Sequence, residues 1–183
     1  GGAFELKRRT GAPILMGAGD ADMAAKGTNR PLQSMRFFAS VLRVFLSSTY
    51  PRFMPDLVLT EAQPTLDLRD YGVAGTAVLF PGHTRGSVAV RLPNHKVLAG
   101  DLMLGGAFGG AVCATSPGEH YYHEDRAQVR RNIVDLLRSG ARTFYLGHGG
   151  PVGAHDVLKA LKSGEFGDAP RSAAPEASAP SAK

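Results

Sequence analysis

Three short segments each place a potential metal ligand directly after a predicted strand, in a turn that contains glycine. They are Pro81-Gly82-His83-Thr84-Arg85-Gly86-Ser87, Leu98-Ala99-Gly100-Asp101-Leu102 and Tyr145-Leu146-Gly147-His148-Gly149-Gly150-Pro151. Rigid strands fix the direction of a side chain that follows them, and glycine lets the backbone bend sharply beside it. Two imidazoles and one carboxylate suit zinc and similar divalent metals, whereas calcium or magnesium would favour a site made only of carboxylates. The pattern predicts a metal site at His83, Asp101 and His148.

Taken singly, each of these residues has a plainer interpretation. A histidine in a loop is commonly solvated, and an aspartate at a strand end can cap a turn. Asp101 lies among apolar residues, where an unpaired charge is costly and a cation would compensate it. The other histidines are interpreted as ordinary: His95 as solvated in a turn, His155 as part of a helix start, and His120 as part of a polar loop.

The elements that would position these residues follow from hydrophobic periodicity and turn signals. Predicted helices cover Ala3 to Thr10, Ala21 to Lys26 with Asp20 as N-cap, Pro31 to Leu46, Asp125 to Ser139 and Ala154 to Ser163. Predicted strands cover Pro13 to Met16, Leu57 to Leu59, Thr65 to Leu68, Thr76 to Phe80, Ser87 to Leu92, Lys96 to Ala99 and Thr143 to Leu146. Leu104 to Glu119 is glycine-rich and is predicted to be irregular. The order indicates an α/β domain with helices outside a sheet.

Composition limits the class of protein. The chain has 183 residues, of which 43% are hydrophobic and 20% are charged. This length and composition fit one domain with a hydrophobic core, and the domain is predicted to cover residues 1–166. Residues 167–183 are rich in Ala, Pro and Ser and are predicted to be a disordered tail. The net charge of +5 comes from scattered Lys and Arg and there is no Trp, so nucleic-acid binding is not expected.

Two further features concern the compartment and the membrane. The most apolar stretch, Phe37 to Leu46, is too short to cross a bilayer and contains Arg43, so no membrane association is expected. The single cysteine, Cys113, excludes an intrachain disulfide and agrees with a cytoplasmic location. We interpret Cys113 as a small buried apolar residue rather than a reactive thiol.

The ordered set Pro-Gly-His-Thr-x-Gly-Ser, Gly-Asp and Gly-His-Gly resembles the later motifs of the metallo-β-lactamase superfamily, over about residues 1 to 162. The resemblance implies an αββα sandwich that binds one or two metal ions at one edge of its sheets. It implies that His83 binds the first ion, His148 the second, and that Asp101 bridges both. The metal would be zinc, with iron or manganese as alternatives.

The family's earliest motif, His-x-His-x-Asp-His, is absent from the sequence, and Gly1-Gly2-Ala3-Phe4 resembles the segment that follows it. The chain is therefore expected to correspond to the C-terminal two-thirds of such a domain, incomplete at its N-terminus. The resemblance implies a metal-dependent hydrolase of esters, thioesters, lactones or similar bonds, acting through a metal-bound hydroxide. The isolated chain is expected to be inactive.

Two other functions fit the same motifs: a non-catalytic, degenerate binding module, and a relative of the persulfide dioxygenases with a single iron. The expected partner is a small-molecule substrate, and homo-oligomers are possible because an incomplete sheet exposes an apolar edge. In relatives, the loop after the bridging aspartate often contacts substrate, which makes Tyr121, Tyr122 and His123 candidate substrate-binding residues. Arg85 is a further candidate, since it could reach an anionic substrate.

Overall fold

The structure is a computed structural model that describes residues 2–30, the backbone of residues 33–34, and residues 49–167. Within this part the helices are α1 (Ala3–Thr10), α2 (Ala21–Lys26), α3 (Arg126–Arg138) and α4 (Ala154–Lys162). The first strands are β1 (Leu15–Gly17), β2 (Gln33–Ser34), β3 (Leu57–Leu59), β4 (Thr65–Asp67), β5 (Thr76–Leu79) and β6 (Val88–Leu92). The later strands are β7 (Lys96–Gly100), β8 (Leu104–Ala107), β9 (Val112–Gly118), β10 (Tyr122–His123), β11 (Thr143–Leu146) and β12 (Val152–Gly153).

The largest sheet in the described part has six strands in the order β12-β11-β7-β6-β5-β4. Strands β4 to β7 form an antiparallel meander, and β11 returns parallel to β7 after helix α3. Three smaller pairs are β1 with β3, β2 with β10, and β8 with β9. This mixed α/β architecture is the one predicted from the sequence and agrees with the αββα sandwich implied by the resemblance.

The hydrophobic core lies between one face of the six-stranded sheet and helices α3 and α4. Val97 and Phe144 are paired across β7 and β11 and are both buried on this face. The helices contribute residues at three- and four-residue spacing, the stripe that buries one side of a helix: Val129, Ile133 and Leu136 from α3, and Val157 and Leu161 from α4. Asp125 begins α3 by accepting a hydrogen bond from the Gln128 N–H at 2.8 Å.

The opposite face of the sheet is less covered by described residues. Leu98 and Tyr145, which are paired across β7 and β11, are 41% and 37% exposed. Side chains alternate between the two faces along a strand, so the helices cover one set and leave this set half-open. None of the helices in the described part is long and apolar enough to cross a bilayer.

Two sequence predictions are corrected between Leu104 and Gly118. This segment is not irregular, because β8 and β9 form an antiparallel hairpin. The glycines of this segment prevented the prediction of strands, because glycine has low strand propensity. In the structure Gly105 donates its N–H to the His148 carbonyl at 2.8 Å and so packs against the loop that carries His148. Cys113 is exposed rather than buried, because it lies on β9, where most side chains are exposed, instead of in the core.

The helix predicted from Pro31 to Leu46 is wrong at residues 33–34, where the backbone pairs with β10 as a strand. Cross-strand hydrogen bonds to Tyr122 and His123 override the helical periodicity there. The rest of that prediction, and the tail predicted after Gly167, lie outside the described residues.

Candidate metal centre

Sheet topology brings the three predicted metal ligands to one edge. Asp101 follows β7 and His148 follows β11, and the ends of these parallel strands meet where the Gly147 N–H donates to the Gly100 carbonyl at 3.0 Å. His83 lies in the turn between β5 and β6. Because β6 runs antiparallel to β7, that turn lies at the same end of the sheet.

Two histidines flank the carboxylate of Asp101, each facing a different oxygen. His83 Nε2 lies 3.8 Å from Asp101 Oδ2, and His148 Nε2 lies 3.9 Å from Oδ1. Among the described residues Oδ1 has no hydrogen-bond partner although it is buried, a condition that is costly unless another group compensates it. The arrangement therefore fits a cation between the carboxylate and the imidazoles.

The ring of His83 is oriented by the backbone. Its Nδ1 lies 2.8 Å from the carbonyl oxygen of Tyr122, so Nδ1–H donates and the lone pair of Nε2 is left facing Asp101. Burial lowers the pKa of His83 below its ordinary value, and this effect exceeds the opposing effect of the Asp101 charge. A neutral imidazole leaves the carboxylate charge uncompensated and is itself ready to bind a metal.

Two further histidines, His120 and His123, are buried against His83. The His120 ring centroid lies 4.4 Å from that of His83, and the His123 centroid lies 5.5 Å from it. One ring nitrogen of His83, one of His120 and one carboxylate oxygen of Asp101 lie within 4.8 Å of one another. Burial, followed by the charge of His83, lowers the pKa of His120 to about 4 and that of His123 to about 3.

The sequence interpretation missed the role of His120 as a buried neighbour of Asp101. The segment Glu119-His120-Tyr121-Tyr122-His123-Glu124 is polar and has no glycine-flanked motif, so the sequence predicts a polar loop that leads to a helix start. Its one available signal was the pair of histidines three residues apart in a region predicted to follow Asp101.

The turn that carries His83 is fixed from the other side by a buried carboxylate. Asp20 accepts hydrogen bonds from the Thr84 hydroxyl and, at 3.1 Å, from the Gly86 N–H, and it forms an ion pair with Arg30 at 2.8 Å. Asp20 is the N-cap residue of α2, as predicted, but its side chain makes no capping hydrogen bond to that helix. The Asp20 carboxylate accepts hydrogen bonds from the His83 turn instead of from the first turn of α2. These bonds satisfy a carboxylate that has little access to water.

The predicted substrate-binding residues lie around this centre at different depths. His123 is completely buried, with no hydrogen-bond partner for either ring nitrogen among described residues. Tyr121 and Tyr122 are half-buried, with ring centroids 6.2 Å from that of His120. The Arg85 side chain is 75% exposed and its backbone N–H donates to Glu124 at 2.6 Å.

Two open cavities adjoin the site. One, of about 410 Å³, reaches His83 and Asp101, and its wall includes Leu15, Met16 and Met23. A second, of about 570 Å³, lies beside Arg85 and Glu124 and contains no predicted metal ligand. A small molecule at the metal centre would therefore occupy the first cavity, which has both polar and apolar walls.

Comparison with known proteins is consistent with this geometry. No curated protein matches the chain. A solved structure described as an archaeal metallo-β-lactamase superfamily protein from Sulfolobus tokodaii aligns with a TM-score of 0.55 and 17% identity. The alignment covers 89% of this chain and 62% of that protein, so the chain spans less than two-thirds of its length.

The family model described as the metallo-beta-lactamase superfamily matches residues 1–148, which is most of the chain and includes His83, Asp101 and His148. The chain belongs to the metallo-β-lactamase superfamily.

Proposed function

We propose that the chain binds a divalent metal ion at His83, Asp101 and His148. We further propose that it belongs to a metal-dependent hydrolase that acts on an ester, thioester, lactone or similar bond of a small molecule. The observation that carries this proposal is that one imidazole faces each carboxylate oxygen of Asp101. Of these two oxygens, Oδ1 is buried and has no hydrogen-bond partner among the described residues. Zinc suits this set of donors best, and iron or manganese also accept it.

A bound ion of this kind acts as a Lewis acid and makes water a better nucleophile near neutral pH. The residues of the chain supply the setting for that chemistry. Asp101 contributes the negative charge that balances the cation, and His83 offers a neutral nitrogen whose direction the Tyr122 carbonyl fixes. The cavity of about 410 Å³ leaves the site accessible to a small substrate from one side.

Arg85, Tyr121 and Tyr122 remain proposed substrate contacts, with Tyr121 and Tyr122 the better placed because they are half-buried beside His120. His123 was also a candidate, but it is completely buried and has no surface to offer a substrate. A cytoplasmic location is likewise a proposal, supported by the single cysteine.

A second function is supported by the donor set itself. Two histidines and one carboxylate with open positions form the set that non-haem iron(II) oxygenases use. A single-iron enzyme would therefore use the same three residues. Bound zinc or manganese would exclude the oxygenase, because the oxygenase requires iron.

Titration calorimetry with zinc tests the proposal. We expect one class of zinc sites in the wild-type chain, weakened at least about tenfold by His83→Gln or His148→Gln. His95→Gln and His155→Gln are matched controls, since both of these histidines are exposed and lie outside the site. Equal zinc affinity in all four variants would refute the site. The isolated chain is expected to be inactive, so chelator-sensitive hydrolysis of simple esters by the zinc-loaded chain would contradict that expectation.

A further inference from the structure

We propose that His120 is a further ligand of the metal ion, so that it joins His83, Asp101 and His148 around the same ion. This inference rests on the proposed function and adds a residue that no motif of the sequence assigned. It starts from proximity, since one potential ligand atom from each of His83, Asp101 and His120 lies within 4.8 Å of the other two. Ligands of a tetrahedral zinc ion, each about 2.0–2.1 Å from the metal, are separated by about 3.3 Å. A modest closing of the three side chains therefore reaches ligand geometry.

The Tyr122 carbonyl orients both imidazoles in the same way. Its oxygen lies 2.8 Å from Nδ1 of His83 and 3.1 Å from Nδ1 of His120. A carbonyl oxygen has two lone pairs and accepts both N–H groups, which leaves Nε2 of each ring free to bind a metal. The Tyr122 N–H also lies 3.2 Å from the same Nδ1 of His120 and would favour the other tautomer. A metal on Nε2 selects the first arrangement, because metal-bound histidines commonly donate their second N–H to a carbonyl.

The segment that carries His120 is held at both ends. Glu119, directly before it, is buried and forms a two-point ion pair with Arg126 of α3, with one contact at 2.7 Å. The backbone N–H of Glu124 donates to the carbonyls of Gly82 at 3.1 Å and His83 at 3.0 Å. His120 is therefore placed by tertiary contacts against the His83 turn, and a ligand held in this way costs little conformational entropy to order.

Burial also requires a reason for a polar ring at this position. His120 is 7% exposed and its ring centroid lies 5.9 Å from that of His148. Three imidazoles thus surround one carboxylate. A hydrophobic side chain would pack there at lower desolvation cost, whereas a metal ion gives each of the three rings a partner.

Nuclear magnetic resonance of the wild-type chain labelled with ¹⁵N in histidine tests the inference directly, because the chain has six histidines and each ring nitrogen can be followed during zinc addition. We expect coordination shifts at His83, His120 and His148, and none at the exposed His95 and His155. Shifts at His83 and His148 with none at His120 would overturn the inference and leave the proposed function intact. No shift at any histidine would overturn both.

A substitution provides an independent readout. His120→Gln is expected to lower zinc affinity at least about tenfold and to change the visible spectrum of the cobalt(II)-loaded chain, which reports the number and type of ligands. His155→Gln is the matched control and should change neither. An unchanged cobalt spectrum and zinc affinity in folded His120→Gln would contradict the inference. The wild-type titration decides the question if this variant does not fold.

Discussion

Gly147 provides the space that the carboxylate of Asp101 occupies: a Cβ atom on Gly147 would lie 2.2 Å from Asp101 Oδ1. The same oxygen faces His148 at 3.9 Å and is buried without a hydrogen-bond partner among described residues. The residue before His148 is therefore small because the ligand on the neighbouring strand approaches it closely. Gly147 is therefore required for the space beside the Asp101 carboxylate, and not for a backbone conformation with positive φ.

Gly147→Ala is predicted to impair the metal site more than the fold. The added methyl group displaces a short, rotatable carboxylate away from His148, while the backbone of Gly147 suits alanine. We expect zinc affinity to fall at least about tenfold with a change in unfolding free energy of less than about 1 kcal/mol. Calorimetric titration and urea unfolding measure the two effects. Gly153→Ala is the control, since its Cβ would meet its nearest neighbour at an ordinary 3.5 Å, and a similar loss of zinc there would contradict the prediction.

Asp20→Asn is predicted to destabilise the chain and loosen the His83 turn. It leaves Arg30 without its buried partner and weakens the acceptor for the Gly86 N–H, a change that costs about 3 kcal/mol for a buried pair. Denaturant unfolding measures the loss. Asp22→Asn removes a carboxylate that also pairs with Arg30 but is 44% exposed, so its expected cost is below about 1 kcal/mol. Equal losses in the two variants would show that the buried network has no special role.

The stability of the metal-free chain is predicted to fall as the pH drops below about 6.5. Burial lowers the pKa of His123 to about 3 from an ordinary value of 6.5. As the pH falls, His123 is therefore protonated in the unfolded state before it is protonated in the folded state. The contribution of the neutral His123 ring to the free energy of unfolding is therefore fully present above pH 6.5. It is lost as the pH falls toward the pKa in the folded state, with a slope of up to about 1.4 kcal/mol per pH unit for one such group.

Chemical unfolding in chelator between pH 6.5 and 5 measures this slope above the range in which most carboxylates titrate. His123→Gln should reduce the slope, whereas His155→Gln, at an exposed position, should leave it unchanged. A flat stability profile in the wild-type chain over this range would refute the prediction.

Zinc is predicted to raise the thermal stability of the chain. A ligand that binds only the folded state stabilises it by about 2.7 kcal/mol at a hundredfold excess over Kd, which corresponds to about 5–10 °C in Tm at this chain length. Scanning fluorimetry with zinc, and with chelator afterwards, measures the shift. Calcium is the control, because it prefers sites made only of oxygen ligands. An equal rise with calcium would show nonspecific binding.

The sequence was sufficient to predict most strands of the six-stranded sheet, because Val- and Leu-rich runs such as those at β6 and β7 alternate between turn signals. It also predicted His83, Asp101 and His148 as metal ligands, because each follows a strand, and the family resemblance implied that they meet at one edge of the sheets. It did not predict the β8–β9 hairpin, whose stability comes from backbone contacts such as Gly105 with His148 rather than from strand propensity.

The residues around the site were harder to predict because their roles depend on distant partners. Asp20 has the sequence position of a helix cap, but Thr84 and Gly86 lie across the fold and bind it instead. His120 has no local pattern that distinguishes it from a solvated loop residue. The contacts of its neighbours with α3 and with the His83 turn hold it beside Asp101.

Elemental mass spectrometry of the purified chain, beside a His83→Ala/His148→Ala double variant, tests the metal site most directly. A His95→Ala/His155→Ala double variant is the matched control, because it removes two exposed histidines. We expect a stoichiometric amount of zinc, iron or manganese in the wild type and the control, and its loss from the His83→Ala/His148→Ala variant. No metal in the wild type, or equal metal in all three proteins, would show that His83, Asp101 and His148 do not form a metal site.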